Sequence, residues 1–197
     1  MSERSLSTGK TVTLIIATVT LAILGPFVYM QFSSEAQSGQ CEPGKGVLTK
    51  FMLSEGPLMV PDNIFHDNDQ KERRLSNYLG RGLVLNFWAT WCAPCIKEMP
   101  NLDRLRAILK SSNIDVLAIS EDRKGLRIVR KFYAANNLKE LEILIDQKGK
   151  LLQAAGGRGL PTTILIDQQG YEVGRLLGVA DWDAPETIRF LKRCLGS

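Results

Sequence analysis

Histidine is almost absent from this chain, since His66 is the only one among its 197 residues. Cysteine is scarce as well: there are four, and only Cys92 and Cys95 stand two residues apart. A structural zinc site needs about four cysteine or histidine ligands, and the chain has neither a second C-x-x-C pair nor a C…H pair to supply them. We therefore expect no structural zinc site.

A large excess of one charge is also missing. The net charge is only +4, and hydrophobic residues make up 44% of a chain in which 23% of residues are charged, as in folded globular proteins. The basic residues alternate with acidic ones, as in KERR (71–74) and EDRKGLRIVRK (121–131). Such interspersion is typical of a solvated surface rather than of a nucleic-acid-binding stripe, so the sequence predicts no nucleic-acid partner.

Charge is absent altogether from the 22 residues Thr11–Phe32. About 20 apolar residues in a helix cross the core of a bilayer. Basic residues precede this segment, which orients the N-terminus toward the cytoplasm. The sequence thus predicts a cytoplasmic N-terminus (1–10), a transmembrane anchor (11–32), a Ser/Gly/Gln-rich linker (33–45) and one exported domain (46–197).

The alternative for the N-terminus is a cleaved signal peptide with an apolar core at Thr11–Leu24 and a cleavage site at Ser34-x-Ala36. The bulky apolar residues 27–32 favour the anchor, and either form exports the domain. Cysteines of an exported domain can be oxidised. Cys41 and Cys194 bracket nearly the whole domain, and they are either paired in a disulfide or left as two free thiols.

Hydrophobic periodicity predicts an α/β domain. Its elements are a short hairpin within 58–79, buried strands at 82–89 and 114–120, helices from 92 to about 109 and over 125–136, two strands within 161–178 and a closing helix at 184–195. This order predicts a mixed central sheet with helices on both faces.

The C-x-x-C pair follows the first buried strand and opens the next helix. Unpaired backbone N–H groups at a helix N-terminus favour the thiolate of Cys92, and Cys95, one turn on, can resolve a mixed disulfide. This position predicts redox cycling. A purely structural disulfide would close too little chain to stabilise the fold. Two further alternatives remain, namely Cu(I) carriage by the two thiols with His66 and a scaffold with idle thiols.

The stretches NFWATWCAPCIKEMP (86–100) and GLPTTILIDQQG (159–170), together with the apolar N-terminus, resemble the membrane-anchored TlpA/ResA group of thioredoxin-like proteins. The resemblance covers about 58–195, and GVADWDAPE (178–186) is more similar to the TlpA branch. It implies a thioredoxin fold with an N-terminal hairpin extension, and a thiol:disulfide oxidoreductase that uses Cys92 and Cys95.

The same resemblance implies a substrate groove. Pro161 matches a proline that is cis in thioredoxin-like folds and whose ring discourages metal binding at the thiols. Leu160, before it, would pair with the bound substrate strand. Trp91 would form an exposed aromatic rim, with simple packing as the alternative, whereas Trp88 belongs to the core.

Glu98 matches a carboxylate near the cysteine pair, which would raise the pKa of the thiols and carry a proton to or from Cys95. The alternative is a first-turn glutamate favoured only by the helix dipole. Asn86 stands where ordinary thioredoxins have a buried aspartate, and because asparagine cannot ionise, the proton transfer passes to Glu98 or to a water.

The chain departs from the TlpA pattern at Tyr171, where the partner of the early non-catalytic cysteine would stand, so a Cys41–Cys194 bridge is not implied by the resemblance. The implied partners are exported cysteine proteins, including those that assemble the copper centres of cytochrome oxidase or that take part in cytochrome c assembly, and an inner-membrane thiol donor. The implied protein is a monomer at a bacterial inner membrane with its domain in the periplasm. It needs no organic cofactor and no metal, since the cysteines carry the two electrons.

Overall fold

An eight-stranded mixed sheet runs through the residues that the computed structural model describes, 41–44 and 48–196. The strands are β1 Phe51–Met59, β2 Phe65–Asp67, β3 Glu72–Arg73, β4 Gly82–Trp88, β5 Ile114–Ser120, β6 Leu144–Ile145, β7 Thr162–Ile166 and β8 Tyr171–Leu177. The helices are α1 Ala93–Leu109, α2 Leu126–Ala135, α3 Lys150–Ala154 and α4 Pro185–Leu195, with a 3₁₀ helix at Leu75–Tyr78. The order across the sheet is β1-β8-β7-β4-β5-β6-β2-β3.

The centre of the sheet is formed by β4, which pairs in parallel with β5 and antiparallel with β7. Every residue of β4 and β5 is buried, which explains why both read as continuous apolar runs rather than as alternating ones. Along β4 the side chains of Leu83, Leu85 and Phe87 face one hydrophobic cluster, while those of Val84 and Trp88 face another. The sheet is therefore covered by a hydrophobic cluster on each of its two faces at this strand.

Helices cover both faces of the sheet, as the sequence predicts. Apolar residues of α1, α2 and α4 pack on the face of Val84 and Trp88, and α3 and the 3₁₀ helix pack on the opposite face. The predicted hairpin is also confirmed: β2 and β3 pair antiparallel, and Asp67 Oδ1 accepts bonds from the backbone N–H groups of Asp69 and Lys71 in the turn.

Strand β1, strand β6, helix α3 and the 3₁₀ helix were not predicted from the sequence. Strand β1 contains Gly56 and Pro57, residues that ordinarily mark turns, and its pairing with β8 is irregular between Leu53 and Leu58. Strand β6 and helix α3 have two and five residues, too few for a hydrophobic period to appear. These elements are therefore determined by contacts with distant parts of the chain and not by the local sequence.

The segments predicted to lie before the domain fall largely outside the described residues. These are the N-terminus (1–10), the anchor (11–32) with its signal-peptide alternative, and most of the linker. Within the part of the chain that the structure describes, no helix is long and apolar enough to cross a membrane.

A disulfide joins Cys41 to Cys194 on α4 and encloses a sequence separation of 153 residues. Both cysteines are buried and belong to the same hydrophobic cluster as α1 and α4. The bridge therefore ties the first described residues to the last helix.

We expect a Cys41→Ser, Cys194→Ser double variant to lose up to roughly 5 kcal/mol of unfolding free energy, because the bridge limits the entropy of a very long loop in the unfolded chain. Denaturant unfolding of the full chain measures the loss. The control is the Cys92→Ser, Cys95→Ser variant, whose disulfide closes only a short loop. Equal losses in the two variants would contradict this account of the bridge.

Candidate active site

The cysteine pair lies at the start of α1, just after the turn that follows β4. Cys92 is the N-cap residue of the helix, and its Sγ accepts a bond of 3.3 Å from the backbone N–H of Cys95, to which it is joined in a disulfide. Pro94 lies in the first helical turn, where its missing N–H breaks no helical bond. Cys92 is 6% exposed and Cys95 is fully buried. Of the two cysteines, Cys92 is therefore the more exposed.

Trp91 projects from this junction into solvent, with 69% of its surface exposed. The exposure fits the predicted rim and argues against the packing alternative. Trp88, in contrast, is fully buried, and its ring lies 4.9 Å from that of Phe132 and 6.0 Å from that of Tyr133. The two tryptophans of the motif therefore have opposite environments.

A cis peptide bond between Leu160 and Pro161 forms the neighbouring edge of the site. Thr162 pairs with Phe87 in the β4–β7 register, so Pro161 lies beside the end of β4, from which the chain continues to Cys92. The carbonyl of Pro161 accepts a bond of 2.9 Å from Gly178 N–H. The sequence-predicted residues Trp91, Leu160 and Pro161 thus converge on the end of the sheet that carries the cysteines.

Glu98 lies one helical turn beyond Cys95, on the same face of α1. Its side chain is only 3% exposed. Oε1 accepts a bond of 3.0 Å from Asn86 Nδ2, while Oε2 accepts bonds of 2.8 Å from Trp182 Nε1 and 3.3 Å from Ala180 N–H. The carboxyl group is therefore held by donors from the central strand and from the segment before α4.

Burial raises the pKa of Glu98 to about 7, although the bonds from Trp182, Asn86 and Ala180 act in the opposite direction. A carboxyl group with a pKa near the working pH can both accept and release a proton efficiently. Glu98 is buried and lies beyond the first turn of α1, which contradicts the alternative of a first-turn glutamate favoured only by the helix dipole.

Asn86 connects this carboxyl group to the sheet. Its Nδ2 donates to Glu98 Oε1 and also, at 2.9 Å, to Oγ1 of Thr163, its cross-strand partner on β7. Its Oδ1 is buried and has no hydrogen-bond partner among the described residues. The network thus links α1, β4 and β7 beneath the cysteines.

Sequence reasoning missed Trp182 and Thr163 as members of the site. The only signal for Trp182 was its place in GVADWDAPE, and that resemblance assigned it no role. Thr163 is a polar residue in a fully buried strand, a pattern that it shares with Asn86 on β4. Buried polar residues generally need partners, so this pairing of polar positions was the available clue.

A second network fixes the loop before Cys92. Asp122, which is 2% exposed, accepts bonds from the backbone N–H of Thr90 (2.8 Å), from Thr90 Oγ1 (2.6 Å) and from Ser120 Oγ (2.8 Å). The sequence pattern placed Asp122 in a solvated charged surface, which is wrong for this residue. Its carboxyl group instead anchors the turn that carries the cysteine pair.

His66 lies far from the thiols along the sheet. In the sheet His66 is paired with Ile145 on β6, which is paired with Ser120 on β5, which in turn is paired with Trp88 on β4. His66 and Trp88 are thus three strands apart, which corresponds to about 14 Å at the usual strand spacing. Within residues 41–44 and 48–196, no group of three or more His, Cys, Asp or Glu side chains is arranged to hold a metal ion. His66 is therefore not placed beside the cysteine pair as the copper alternative requires.

Comparison with known families places the chain in a well-defined group. The model of the AhpC/TSA family matches residues 58–171. The thiol-disulfide oxidoreductase ResA of Geobacillus thermodenitrificans is 35% identical over 156 residues, which cover 79% of this chain and 80% of that protein. ResA of Bacillus subtilis is 32% identical over 131 residues, covering 66% and 70% of the two chains.

Solved structures agree with these relatives. A putative thiol:disulfide interchange protein DsbE from Chlorobium tepidum superposes with a TM-score of 0.62 and 28% identity, covering 72% of this chain and 99% of its own. The exposed lipoprotein thioredoxin of Streptococcus pneumoniae gives a TM-score of 0.55 and 29% identity, with 66% and 98% coverage. These matches confirm the thioredoxin fold.

We expect the protein to lose stability as pH rises from about 5 to 8 because of Glu98. The unfolded group titrates near its ordinary value of 4.5 and the folded one at about 7, so between these values the native state holds a proton that the unfolded chain releases. The loss amounts to roughly 3 kcal/mol, an upper figure for a shift of this size.

Denaturant unfolding across this pH range measures that loss. In a Glu98→Gln variant this part of the pH dependence should disappear. Glu121→Gln is the comparison variant: burial and Asp146 raise the pKa of Glu121 to about 8 at a separate site, so this variant should lose only the part of the pH dependence that Glu121 contributes and keep the part that depends on Glu98. The same pH dependence in the parent protein and in Glu98→Gln would show that Glu98 is not responsible.

A Trp182→Phe variant tests the indole donor. Loss of its N–H removes a bond that favours the charged carboxylate, so the pKa of Glu98 should rise by about one unit above its parent value. Trp88→Phe is the control, since Trp88 is equally buried and its Nε1 has no partner among the described residues. The midpoint of the Glu98-dependent stability profile measures both, and an equal shift in the two variants would contradict a specific role for Trp182.

Proposed function

The chain belongs to the AhpC/TSA family, among the ResA-like thiol–disulfide oxidoreductases, and on that premise we propose that it reduces disulfides in exported cysteine proteins. The observation that carries this proposal is the different burial of the two cysteines. Cys92, at the N-cap of the helix and next to the exposed Trp91 in sequence, keeps a small exposed fraction, whereas Cys95 is fully buried, one turn from the buried carboxyl group of Glu98.

The first step belongs to Cys92. In the reduced protein its thiolate attacks one sulfur of the substrate disulfide, a bond forms between Cys92 Sγ and that sulfur, and the other substrate sulfur leaves as a thiolate. The backbone N–H groups at the start of α1 favour the attacking thiolate. The product of this step is a mixed disulfide between enzyme and substrate.

The second step belongs to Cys95 and Glu98. Glu98 accepts the proton of the Cys95 thiol, and the resulting thiolate attacks Cys92 Sγ and releases the second substrate sulfur as a thiolate, which can then take up a proton. Two electrons have then passed from the protein to its substrate, and Cys92 and Cys95 end as a disulfide. That is the form in which the structure describes them.

The substrate would bind to the surface around the cysteines. The half-buried Leu160 would pair through its backbone with an extended substrate segment, Pro161 would shape the groove beside the thiols, and Trp91 would cover the substrate from the other side. This assignment is supported by their convergence at the end of β4 and by the exposure of Trp91.

The oxidised enzyme needs a supply of electrons to act again. We assign this role to an inner-membrane thiol donor, with the chain held at the membrane by Thr11–Phe32 and its domain, as a monomer, in the periplasm. Its cysteine-containing substrates would include proteins that assemble the copper centres of cytochrome oxidase or that take part in cytochrome c assembly. No organic cofactor takes part in this scheme, since the sulfurs carry both electrons.

A Cys95→Ser variant should accumulate mixed disulfides with its protein substrates, because the first step proceeds while the resolving thiol is missing. Cells that express the full chain are acid-quenched and alkylated, and the adducts are counted on a non-reducing gel. Cys92→Ser is the matched control and should trap none.

A failure of Cys95→Ser to trap partners would contradict the proposal. If the Cys92→Ser, Cys95→Ser double variant then kept full function in the cell, the protein would be a scaffold with idle thiols.

A further inference from the structure

The segment EDRKGLRIVRK (121–131) contains both acidic and basic residues, but in the structure their side chains lie in different environments. Asp122 is buried against Thr90 and Ser120, and Glu121 is partly buried beside the turn at Gly149. The basic side chains of the same segment are exposed, and Arg123, Lys124, Arg127 and Lys131 lie at or just before the start of α2 and along it. The surface here is therefore more positive than the sequence suggests.

The same separation occurs in the neighbouring turn before α3. Asp146 is buried, and its Oδ2 accepts a bond of 2.6 Å from Leu151 N–H, whereas Lys148 and Lys150 are exposed. Gln147 Nε2 donates at 2.8 Å to the carbonyl of Arg123, which holds this turn against the first segment. The two groups of exposed bases therefore approach each other at the contact between Gln147 and Arg123, near the edge of the sheet where β5 and β6 end.

We call this the basic surface, and it consists of Arg123, Lys124, Arg127, Lys131, Lys148 and Lys150. In the described part of the chain none of the six forms an ion pair. Burial and Asp146 raise the pKa of Glu121 to about 8, so this acid is largely uncharged at neutral pH and does little to offset them. The basic surface is therefore available to an anionic partner.

The basic surface adjoins the cysteine pair. Strands β4, β5 and β6 run in parallel, so their carboxyl ends lie at one edge of the sheet, and Asp122 contacts Thr90, two residues before Cys92. A protein partner typically covers roughly 800 Å² of an enzyme surface. A substrate whose disulfide reaches Cys92 would therefore also cover the nearest of these bases, Arg123 and Lys124.

We propose that the basic surface is a docking site for an acidic segment next to the reactive disulfide of the substrate protein. The inference rests on the proposed function and narrows the substrate class by charge. Charges at the edge of an interface act mainly on the association rate, and their effect weakens with salt. The bases would thus select acidic substrates before the thiols react.

Two synthetic peptides test the proposal with the full chain in its reduced form. They contain the same intramolecular disulfide, flanked by four Glu in one and by four Gln in the other. Stopped-flow measurement gives the second-order rate constant for reduction of each, and we expect the Glu peptide to react at least about fivefold faster at low salt. That ratio should approach one as salt is raised.

Charge-neutralised variants locate the effect. In Arg123→Gln, Lys124→Gln, Arg127→Gln the ratio should fall nearly to one. The control replaces three exposed bases elsewhere, Lys110→Gln, Arg189→Gln, Lys192→Gln, and should keep the parent ratio. Reduction of the Gln peptide reports the proposed function separately, so a protein that reduces it but shows no Glu preference would overturn only the docking site.

An anionic membrane is the competing occupant of the basic surface. Binding to vesicles with and without phosphatidylglycerol is compared for the parent protein and the triple variant. A triple variant that loses the preference for anionic vesicles while the peptide ratio is unchanged would assign the surface to the membrane and overturn the proposal. Unchanged vesicle binding with a lost peptide ratio supports it.

Discussion

The buried carboxyl group of Glu98 is the constraint on which the active-site end of this domain depends. Its two oxygens accept bonds from Asn86, Trp182 and Ala180, so one side chain joins the first helix to the central strand and to the segment before the last helix. Asn86 extends the link to Thr163 on the adjacent strand. A carboxyl group in such a place costs stability when it is charged, because burial removes it from water.

This unfavourable burial serves proton transfer, because the carboxyl group lies one turn from Cys95. A surface glutamate would be ionised at neutral pH and could accept a proton only with little driving force. Burial moves the pKa of Glu98 to about 7, where both protonation states are populated. The hydrogen bonds limit the shift, so the environment keeps the group near the pH at which it must exchange a proton with the thiol.

Much of this molecule could be predicted from the sequence, for reasons that differ between its parts. Strands β4 and β5 are buried on both faces, and the hairpin β7–β8 has a turn at Gly170, so hydrophobic pattern and turn chemistry identified them. The C-x-x-C pair was identifiable because residue type and spacing carry the chemistry, whereas Pro161 was identified through the resemblance to the TlpA/ResA group. Strand β1 could not be predicted, since Gly56 and Pro57 are accommodated only through its pairing with β8.

The site residues that could not be predicted from the sequence are held together by contacts between residues far apart in the chain. Trp182 and Glu98 are 84 residues apart, and Thr90 and Asp122 are 32 residues apart, so no local pattern could pair them. The burial of acidic side chains was equally hard to predict: the sequence pattern placed Asp122 on a solvated surface, yet both it and Asp146 are buried. Burial of the acids, and not composition, produces the positive surface beside the thiols.

The reduction potential of the Cys92–Cys95 couple tests the central claim most directly. The full chain is equilibrated against dithiol buffers of defined potential and alkylated, and the peptide with Cys92 and Cys95 is quantified by mass spectrometry, separately from that of Cys41 and Cys194. A reductase account predicts a value near that of thioredoxin, about −270 mV. A value near about −120 mV would identify a strong oxidant and would contradict the proposed direction of electron transfer.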